Sequence, residues 1–400
     1  MKNYIKASIG LLNDLRSSRK IKKVTQKSHA GTIRVAFIVQ MAEIWDKEEP
    51  VYEAMLTDDR FEPTLIVVPP YDQVQERVTT CYDDNFFLEQ YPDAVKGYDN
   101  GKWIDLKQQQ YDYIFLQRPY DHYLPAGFRG SDIVAFSKVC YIPYGFSSAD
   151  VFNEGNTNKS FFRNVYMSFM ESDYMAKLLQ YQYRFPLEKS THHVLSLGYP
   201  ALSPYLAFPD INQLTRILWT PRWSFSPTIG GSNFLIYKDT FVELAAQNPQ
   251  CQFVFRPHPL MFGEILRQGI MTQTDIDDYL AILRENKVVY DYGTPLLETL
   301  LDTDLLITDF SSIIIQFFLT KRPIIYCPSC IVLNETIEQL KEGMYLANTP
   351  EELIRITNDL VDQKDPLKEN RLRIINNKEF EAHRDAANNI LSAMKQDSGM

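Results

Sequence analysis

The feature that most constrains the fold is a repeated alternation of short apolar runs with helix-like segments. The apolar runs are nearly continuous, as in "IRVAFIVQ" (33–40), "EPTLIVVPP" (62–70) and "DLLITDF" (304–310). Strands of this kind are typical of a parallel sheet whose two faces are both covered by helices. The sequence therefore predicts an α/β protein built on doubly wound sheets.

The alternation occurs twice, and a segment interrupted by glycine and prolines separates the two series. In "HHVLSLGYPALSPY" (192–205), Gly198, Pro200 and Pro204 break regular structure. We therefore predict two Rossmann-like domains that face each other across a cleft, which is the GT-B architecture. The predicted divisions are a basic N-terminal segment at 1–29, an acceptor-side domain at 30–200, a nucleotide-donor-binding domain at 201–365 and a helical segment at 366–400.

The first 28 residues differ in charge from the rest of the chain. They contain eight Lys or Arg and one acidic residue, a net charge of +7 in a chain whose total is −10. Leu11, Leu12 and Leu15 accompany the basic residues, and this mixture is typical of a helix on an anionic membrane surface. An ordinary solvated helix with a basic tail is the alternative.

The remaining residues carry a net charge of −17, so we do not expect nucleic acid as a partner. No apolar run reaches the length of a membrane-spanning helix. We expect a cytoplasmic protein that binds peripherally to the cytoplasmic face of the cell membrane.

Functional residues are expected just after the strands, because open parallel sheets bind ligands beyond the carboxyl ends of their strands. Three strands of the second series end in "WTPRW", "FRPHP" and "ITDFSS". These segments contribute Thr220, Arg222, Arg256, His258, Asp309, Ser311 and Ser312. Pro257 and Pro259 lack backbone donors and favour extended neighbours, so they are expected to hold Arg256 and His258 rigidly at a strand tip.

The "ITDFSS" segment leads into an apolar helix, for which Asp309 or Ser311 is the expected N-cap. A helix N-terminus offers free N–H groups and a partial positive charge, which suit phosphate, although a plain capped helix start is the alternative. Arg256 and His258 nearby favour an anion pocket. The chain has neither a GxxxxGK[ST] nor a GxGxxG phosphate loop, and its carboxylates form no convincing cluster. We therefore expect no cofactor and no metal ion.

Three motifs resemble the CDP-glycerol glycerophosphotransferase family: "FRPHP", then "DLLITDFSS" before an apolar helix, then "KRPIIYCP". The resemblance covers roughly residues 190–330. Members of this family transfer glycerol phosphate from CDP-glycerol to an acceptor hydroxyl and release CMP, and they build teichoic acid and capsule-type polymers. The resemblance implies that Arg256 and His258 contact the diphosphate, and that Ser311 and Ser312 hold phosphate.

The N-terminal half departs from the family's pattern. Familiar members have a His-Gly-Thr-Pro segment whose histidine resembles a general base, whereas the corresponding strand end here reads "YIPYGF", with Tyr144 at that position. The predicted replacements are Tyr144 itself, His122 of "RPYDHY", and Glu43 or Asp46 of "QMAEIWDKEEP". We assign Glu43 and Tyr144 to catalysis and His122 and Asp46 to substrate binding.

The residues and the resemblance together predict a transferase of glycerol phosphate, or of a related polyol phosphate, that acts on a glycan or lipid-linked acceptor. Arg256 and His258 are predicted to be catalytic, and the other five strand-end residues of the second series to bind substrate. Two alternatives stay open. One is a GT-B glycosyltransferase that uses a UDP- or CMP-sugar. The other is a non-catalytic, anion-binding scaffold of a polymer-export assembly, which the missing histidine favours.

Overall fold

The computed structural model describes residues 2–25, 31–80, 85–184, 191–208, 214–226 and 231–399, with the side chains of 2–8 excepted. Contacts divide the chain into two compact units. The first unit comprises Met1–Phe146, Asn153–Ser203 and Ala382–Met400, and the second unit comprises Ser147–Phe152 and Pro204–Glu381. The helical segment predicted at 366–400 thus contributes to both units, and the other predicted boundaries stay predictions.

The first unit is built on a parallel sheet. Its strands are β1 (Ile33–Val39), β2 (Phe61–Val67), β3 (Tyr71–Asp72), β4 (Arg77–Val78), β5 (Val95–Lys96), β6 (Tyr98–Asp99), β7 (Lys102–Trp103), β8 (Tyr113–Leu116), β9 (Lys138–Tyr141), β10 (Val165–Phe169) and β11 (His193–Leu195). Seven of them form the sheet in the order β11-β10-β9-β8-β1-β2-β5, and every pairing in it is parallel. The remaining four form two short antiparallel ribbons.

Helices precede and connect these strands. They are α1 (Lys2–Thr25), α2 (Glu49–Leu56), α3 (Phe86–Gln90), α4 (Leu106–Gln109), α5 (Gly130–Ile133), α6 (Asn153–Asn156), α7 (Lys159–Phe162) and α8 (Asp173–Gln182). The predicted N-terminal helix is confirmed as α1. It packs on the first unit through buried Ile21 and Val24, and the Ser17 hydroxyl donates to Oδ1 of Asn164 at 2.7 Å.

The second unit contains a six-stranded sheet. Its strands are β12 (Arg216–Thr220), β13 (Gln252–Phe255), β14 (Val289–Tyr290), β15 (Leu305–Thr308), β16 (Ile324–Tyr326) and β17 (Tyr345–Leu346). The order is β14-β13-β12-β15-β16-β17, and all pairings are parallel. The strand order therefore reverses between β12 and β15, as it does between β1 and β8 in the first unit. Doubly wound sheets bind ligands at such a reversal.

The helices of the C-terminal half follow in chain order. They are α9 (Ser203–Leu206), α10 (Phe234–Gln247), α11 (Met261–Gln268), α12 (Gln273–Glu285), α13 (Leu296–Leu301), α14 (Ile313–Phe318), α15 (Glu335–Glu338), α16 (Pro350–Val361), α17 (Lys368–Ile375), α18 (Lys378–Glu381) and α19 (Ala386–Asp397). Helix α19 returns to the first unit, where the Asp397 carboxylate accepts hydrogen bonds from Tyr113, Tyr166 and Lys138.

Both sheets are buried on their two faces. All four residues of β8 and all four of β15 are buried, and because successive side chains point to opposite faces, each face must be covered. Aromatic rings fill much of the cores: Phe37 stacks on Phe115 at 4.7 Å in the first unit, and Trp219 packs on Phe241 at 4.8 Å in the second. Within the described ranges, no helix is long and apolar enough to cross a membrane.

Candidate active site

A pocket of about 380 Å³ lies in the second unit, at the carboxyl ends of β12, β13 and β15. We call it the switch-point pocket, because the strand order reverses there. It is lined by Thr220, Pro221, Arg222, Arg256, Pro257, His258, Pro259, Leu296, Phe310, Ser311, Ser312 and Ile313. Of the seven residues predicted for this edge of the sheet, all but Asp309 line this one pocket.

Arg256 follows β13 and is held by more than the neighbouring proline. Its Nη1 donates to Oδ2 of Asp291 at 2.7 Å, to Oγ1 of Thr299 at 2.9 Å and to the carbonyl oxygen of Thr294 at 2.8 Å. Burial raises the pKa of Asp291, but hydrogen bonds from Thr299 and Arg256 outweigh it and bring that pKa to about 2. The guanidinium is thus oriented by a carboxylate, which also offsets part of its charge.

His258 is fixed by backbone contacts on both sides. Its backbone N–H donates to the carbonyl oxygen of Pro221 at 3.1 Å, and its ring Nδ1 accepts from the backbone N–H of Leu260 at 3.2 Å. Partial burial of the ring in the pocket, assisted by the positive charge of Arg222, lowers the pKa of the imidazole below its ordinary value of 6.5. The neutral form of the ring is therefore favoured at pH 7, and because Nδ1 accepts, Nε2 carries the proton in that form and is the donor available to a ligand.

Arg222 lies among aromatic rings. Its guanidinium carbon is 4.6 Å from the centroid of the Phe310 ring, 5.8 Å from that of Phe152 and 5.9 Å from that of Trp223. Burial lowers its pKa, and the nearby Asp309 carboxylate opposes this shift. An arginine stays charged under such a shift, so the pocket contains a cation whose position is limited by ring stacking.

Asp309 does not cap the helix after β15, so that prediction is wrong. Its buried carboxylate accepts from the backbone N–H of Arg222 at 2.9 and 3.1 Å and from that of Asn233 at 2.9 Å. Burial raises its pKa to about 7, although these hydrogen bonds act in the opposite direction. Asp309 therefore ties the segment after β12 to the start of α10, beneath the pocket lining rather than in it.

The helix α14 begins at Ile313, and its N-cap residue is Ser312, whose side chain makes no capping hydrogen bond. Ser311 is not the N-cap residue either, although its hydroxyl accepts from the N–H of Ile313 at 3.3 Å. The sequence predicted Asp309 or Ser311, but the carboxylate of Asp309 accepts hydrogen bonds from the backbone of Arg222 and Asn233 instead. The Thr220 hydroxyl donates to that of Thr308 at 2.9 Å.

The residues predicted in the first unit are separated into two groups. The Tyr144 hydroxyl lies 3.1 Å from that of Tyr120, and the ring of His122 lies 5.8 Å from the Tyr120 ring. Burial, reinforced by the Tyr120 hydroxyl, raises the pKa of Tyr144 well above its ordinary value. A phenol in this state is protonated at neutral pH and can donate a hydrogen bond, but it is poorly suited to remove a proton.

Glu43 and Asp46 form the second group. Both are exposed in a 3-10 helix, Ala42–Lys47, that directly follows β1, and Asp46 forms an ion pair with Lys47. Their proximity to a strand end agrees with the sequence, and their assignment to catalysis and substrate binding stays a prediction.

Arg118 is a strand-end cation that sequence reasoning did not select. It follows β8 at the reversal of the first sheet, donates through Nη2 to Oε1 of Gln40 at 2.8 Å, and lies 4.2 Å from the centroid of the Tyr123 ring. A signal was present, because "QRPY" repeats the strand-Arg-Pro pattern that marks Arg256.

Glu48 is a second residue that the sequence did not reveal. It is 1% exposed, and neither carboxylate oxygen has a hydrogen-bond partner among the described residues. Burial raises its pKa from 4.5 to about 8. No sequence signal distinguishes it from the adjacent Glu49, which accepts a hydrogen bond from the Tyr91 hydroxyl at 2.5 Å.

The segment that contributes the lining of the switch-point pocket matches a known family. Residues 212–388 match the family described as CDP-Glycerol:Poly(glycerophosphate) glycerophosphotransferase. This part of the chain is similar to that family. The glycerophosphotransferase region contains the entire pocket lining and identifies the chain as a CDP-glycerol glycerophosphotransferase-like transferase. The predicted family is thereby confirmed. No curated protein matches the chain in sequence at a significant level.

Solved structures with the same fold span nearly all of the chain. The Wall Teichoic Acid Polymerase TagF is 12% identical with a TM-score of 0.54, over 100% of this chain and 98% of that one. A UDP-GlcNAc 2-epimerase from Methanocaldococcus jannaschii is 13% identical with a TM-score of 0.60, over 91% and 100%. A putative UDP-N-acetylglucosamine 2-epimerase from Listeria monocytogenes is 13% identical with a TM-score of 0.59, over 92% and 96%. These similarities confirm the predicted class of two Rossmann-like domains of GT-B type.

In the ranges that the structure describes, no three His, Cys, Asp or Glu side chains are grouped so that they could hold a metal ion. Cys327 and Cys330 are both free thiols, the first buried and the second exposed. Metal-independent catalysis stays a prediction.

Proposed function

We propose that this transferase moves glycerol phosphate from CDP-glycerol to an acceptor hydroxyl of a teichoic-acid-type polymer and releases CMP. The observation that carries the proposal is the switch-point pocket, where Arg222, Arg256 and His258 line one cavity together with Ser311 and Ser312. Cations, neutral donors and hydroxyls at the reversal of a doubly wound sheet suit a diphosphate. The family match of this region and the similarity to a teichoic acid polymerase favour CDP-glycerol over other diphosphates.

The proposed step is an in-line displacement at the β-phosphorus. The acceptor oxygen forms a bond to this phosphorus, and the bond from the phosphorus to the oxygen bridging the two phosphates breaks. The electron pair of the broken bond leaves with CMP, and the acceptor proton is transferred to a base. Catalysis of such a step rests on positioning and on stabilising charge that spreads over the phosphate oxygens.

Each pocket residue suits one part of this step. Arg222 supplies a half-buried cation between aromatic rings, and Arg256 supplies a rigid donor oriented by Asp291. His258 is neutral before substrate binds and offers Nε2–H to a phosphate oxygen or to the departing CMP. A bound diphosphate would raise the pKa of His258 by its negative charge, which also permits the histidine to protonate CMP.

The first unit is proposed to hold the acceptor. Glu43 and Asp46 are exposed carboxylates after β1, and either can accept the proton of an acceptor hydroxyl. Tyr144 is better suited to donate to the acceptor than to act as the base, because its pKa is raised.

Donor identity is tested by incubating the purified protein with CDP-glycerol, CDP-ribitol and a panel of UDP- and CMP-sugars, and identifying the released nucleotide. The proposal predicts CMP together with transfer of glycerol phosphate. Release of UDP, or of CMP from a CMP-sugar, would instead indicate a glycosyltransferase. Absence of turnover with every donor would favour a binding scaffold.

His258 provides the sharper test. His258→Ala is expected to fold normally, because the side chain is exposed, and to lose about 10²–10³-fold in turnover. His258→Gln should retain more activity if hydrogen bonding from Nε2 is the main role, and no more than the alanine variant if proton transfer is. His193→Gln, a change at a histidine outside the pocket, serves as the control. A stable His258→Ala protein with near-normal turnover would contradict this assignment.

A further inference from the structure

The first unit contains a second pocket, of about 570 Å³, which we call the polar pocket. It is lined by Asn13, Arg16, Ser17, Lys20, Gln73, Asp121, His122, Arg129, Ser131, Asn158, Ser160, Arg163 and Asn164. Its volume falls in the usual range for small-ligand pockets, about 300–1,000 Å³, but such pockets are lined mainly by apolar and aromatic side chains. Here every lining residue is polar or charged.

The charge of the polar pocket is positive. Arg16, Lys20, Arg129 and Arg163 line it, against the single lining carboxylate of Asp121. A further carboxylate, that of Asp14, lies 3.2 Å from Nε of Arg163, so four cations face two anions. In a chain of net charge −10, this concentration of positive charge selects for an anionic ligand.

Several of these groups are already oriented. Nζ of Lys20 donates to the carbonyl oxygen of Ser131 at 3.2 Å, and Nε of Arg129 donates to that of Leu124 at 3.0 Å. The Asp121 carboxylate accepts from the backbone N–H of Gly130 at 2.9 Å. The carboxylate therefore has a structural role in the backbone, and the lysine and arginine are limited in where their charges can move. A ligand would meet a partly pre-organised set of cations.

The neutral part of the lining consists of amides and hydroxyls, such as Asn13, Ser131, Asn158 and Ser160. Amide and hydroxyl groups both donate and accept, and so they complement the hydroxyls of a polyol. An acyl chain would find no apolar wall here. The exposed apolar side chains of α1, which include Leu11 and Leu12, are not part of the lining.

We propose that the polar pocket binds a phosphodiester segment of a polyol phosphate chain. The cations would hold two successive phosphodiesters, whose two negative charges match the excess of positive charge, and the amides and serines would hold the hydroxyls between them. The proposal rests on the proposed function, because such a chain would be the acceptor that the protein elongates. It goes further by assigning a stretch of that chain to the polar pocket and α1 to its binding site.

The test compares two double variants of one helix. Arg16→Ala/Lys20→Ala removes two charges from the polar pocket, whereas Arg19→Ala/Lys23→Ala removes two exposed charges of α1 outside it. All four side chains are exposed, so both variants should fold. Binding of a soluble glycerol phosphate oligomer is measured by calorimetry, with inorganic phosphate as a second probe and vesicles of phosphatidylglycerol as a third.

We expect the Arg16/Lys20 variant to bind the oligomer at least about tenfold more weakly, since each lost charge-assisted hydrogen bond has an effect of this order. The Arg19/Lys23 variant should bind it within about twofold of the unchanged protein. A third variant, Arg16→Lys/Lys20→Arg, keeps both positive charges and should bind the oligomer as the unchanged protein does. Equal weakening of oligomer binding by both double variants would overturn the proposal, and so would oligomer binding too weak to measure. Binding confined to vesicles would assign the charges to a lipid surface and would also overturn it.

The same proteins separate this proposal from the proposed function. Turnover of CDP-glycerol by a protein that does not bind the oligomer would reject the polar pocket and leave the reaction intact. Oligomer binding that depends on Arg16 and Lys20, in a protein that turns over no CDP-glycerol, would reject the reaction and leave the pocket intact.

Discussion

Replacing Glu48 by glutamine should stabilise the protein at neutral pH and have little effect on stability in mild acid. The carboxyl group is 1% exposed, without a hydrogen-bond partner among the described residues, and its pKa is raised by burial from 4.5 to about 8. Glutamine has nearly the same shape but stays neutral at every pH, so the variant isolates the effect of ionisation.

The sign follows from the protons bound in each state. Below about pH 4.5, both the folded and the unfolded chain carry protonated Glu48, and this residue contributes no pH dependence. Between about pH 4.5 and pH 8, the unfolded chain releases the proton while the folded chain retains it, so the free energy of unfolding falls as the pH rises. Above about pH 8, both states are ionised and the loss is constant.

The magnitude follows from the size of the shift. Each pKa unit corresponds to about 1.4 kcal/mol, so Glu48 lowers the free energy of unfolding by about 3 kcal/mol at pH 7 and by about 5 kcal/mol at pH 8 and above. These figures are upper bounds, because a buried charge recruits water and relaxes its surroundings. For a unit of this size, a gain of about 3 kcal/mol would raise the melting temperature by roughly 6–12 °C.

Calorimetric unfolding from about pH 4 to pH 8.5 measures this difference. We expect the melting temperature of Glu48→Gln minus that of the unchanged protein to be near zero at the acid end and to rise steadily toward pH 8. Glu53→Gln, an exposed position on the same helix α2, should give a flat difference. A flat difference for Glu48→Gln as well, or a loss of stability at neutral pH, would refute the reasoning and indicate a partner that stabilises the ionised carboxylate.

Two further predictions concern the membrane and metal ions. Replacing the exposed Ile9, Leu11 and Leu12 of α1 by serine should weaken binding to anionic vesicles while turnover of a soluble acceptor is maintained, since these side chains are more than half exposed; unchanged vesicle binding would remove the membrane assignment. Turnover should also persist in EDTA, because no metal-binding group occurs among the described residues; loss of turnover that Mg²⁺ or Mn²⁺ restores would contradict this expectation.

The sheets could be predicted because their strands are short, apolar and buried on both faces. The segment "DLLITDF" contains β15 and the segment "IRVAFIVQ" contains β1. The weaker elements were not found. Strand β11 has three residues in a segment predicted only as an interruption. Helix α8 was also not predicted. It begins after Ser172, whose hydroxyl accepts from the N–H of Met175 at 3.2 Å, and nothing in its apolar pattern separates it from the preceding strand.

The sequence predicted which residues come together at the candidate site, because their positions after the strands determine this. Parallel strands place every residue after a carboxyl end at one edge, so Thr220, His258 and Ser311 had to come close together once the strands were recognised. Side-chain partners are a different matter, because they depend on the packing of distant segments. The pairing of Arg256 with Asp291 has no local sequence signature. The same is true of the burial of Glu48, which has no hydrogen-bond partner in the part of the chain that the structure describes.

Each sheet has an arginine just beyond the carboxyl end of a strand, and the two arginines have different partners. In the first sheet, β8 lies at the reversal of strand order and is followed by Arg118 and a proline. In the second sheet, β13 lies next to the reversal and is followed by Arg256 and a proline. In both, the proline ends the strand, so the arginine lies at the edge of the sheet. Arg256 is paired with the Asp291 carboxylate at 2.7 Å, and its charge is partly offset. Arg118 instead donates to the neutral amide of Gln40 and stacks on the Tyr123 ring. Burial lowers the pKa of Arg118, and the surrounding tyrosines oppose the shift. Since no carboxylate is among the partners described for it, its positive charge acts at longer range than that of Arg256. The Arg-Pro pattern predicts an anion-binding edge in both sheets, but the side chains that contact each arginine determine how much of its positive charge is available to an anion.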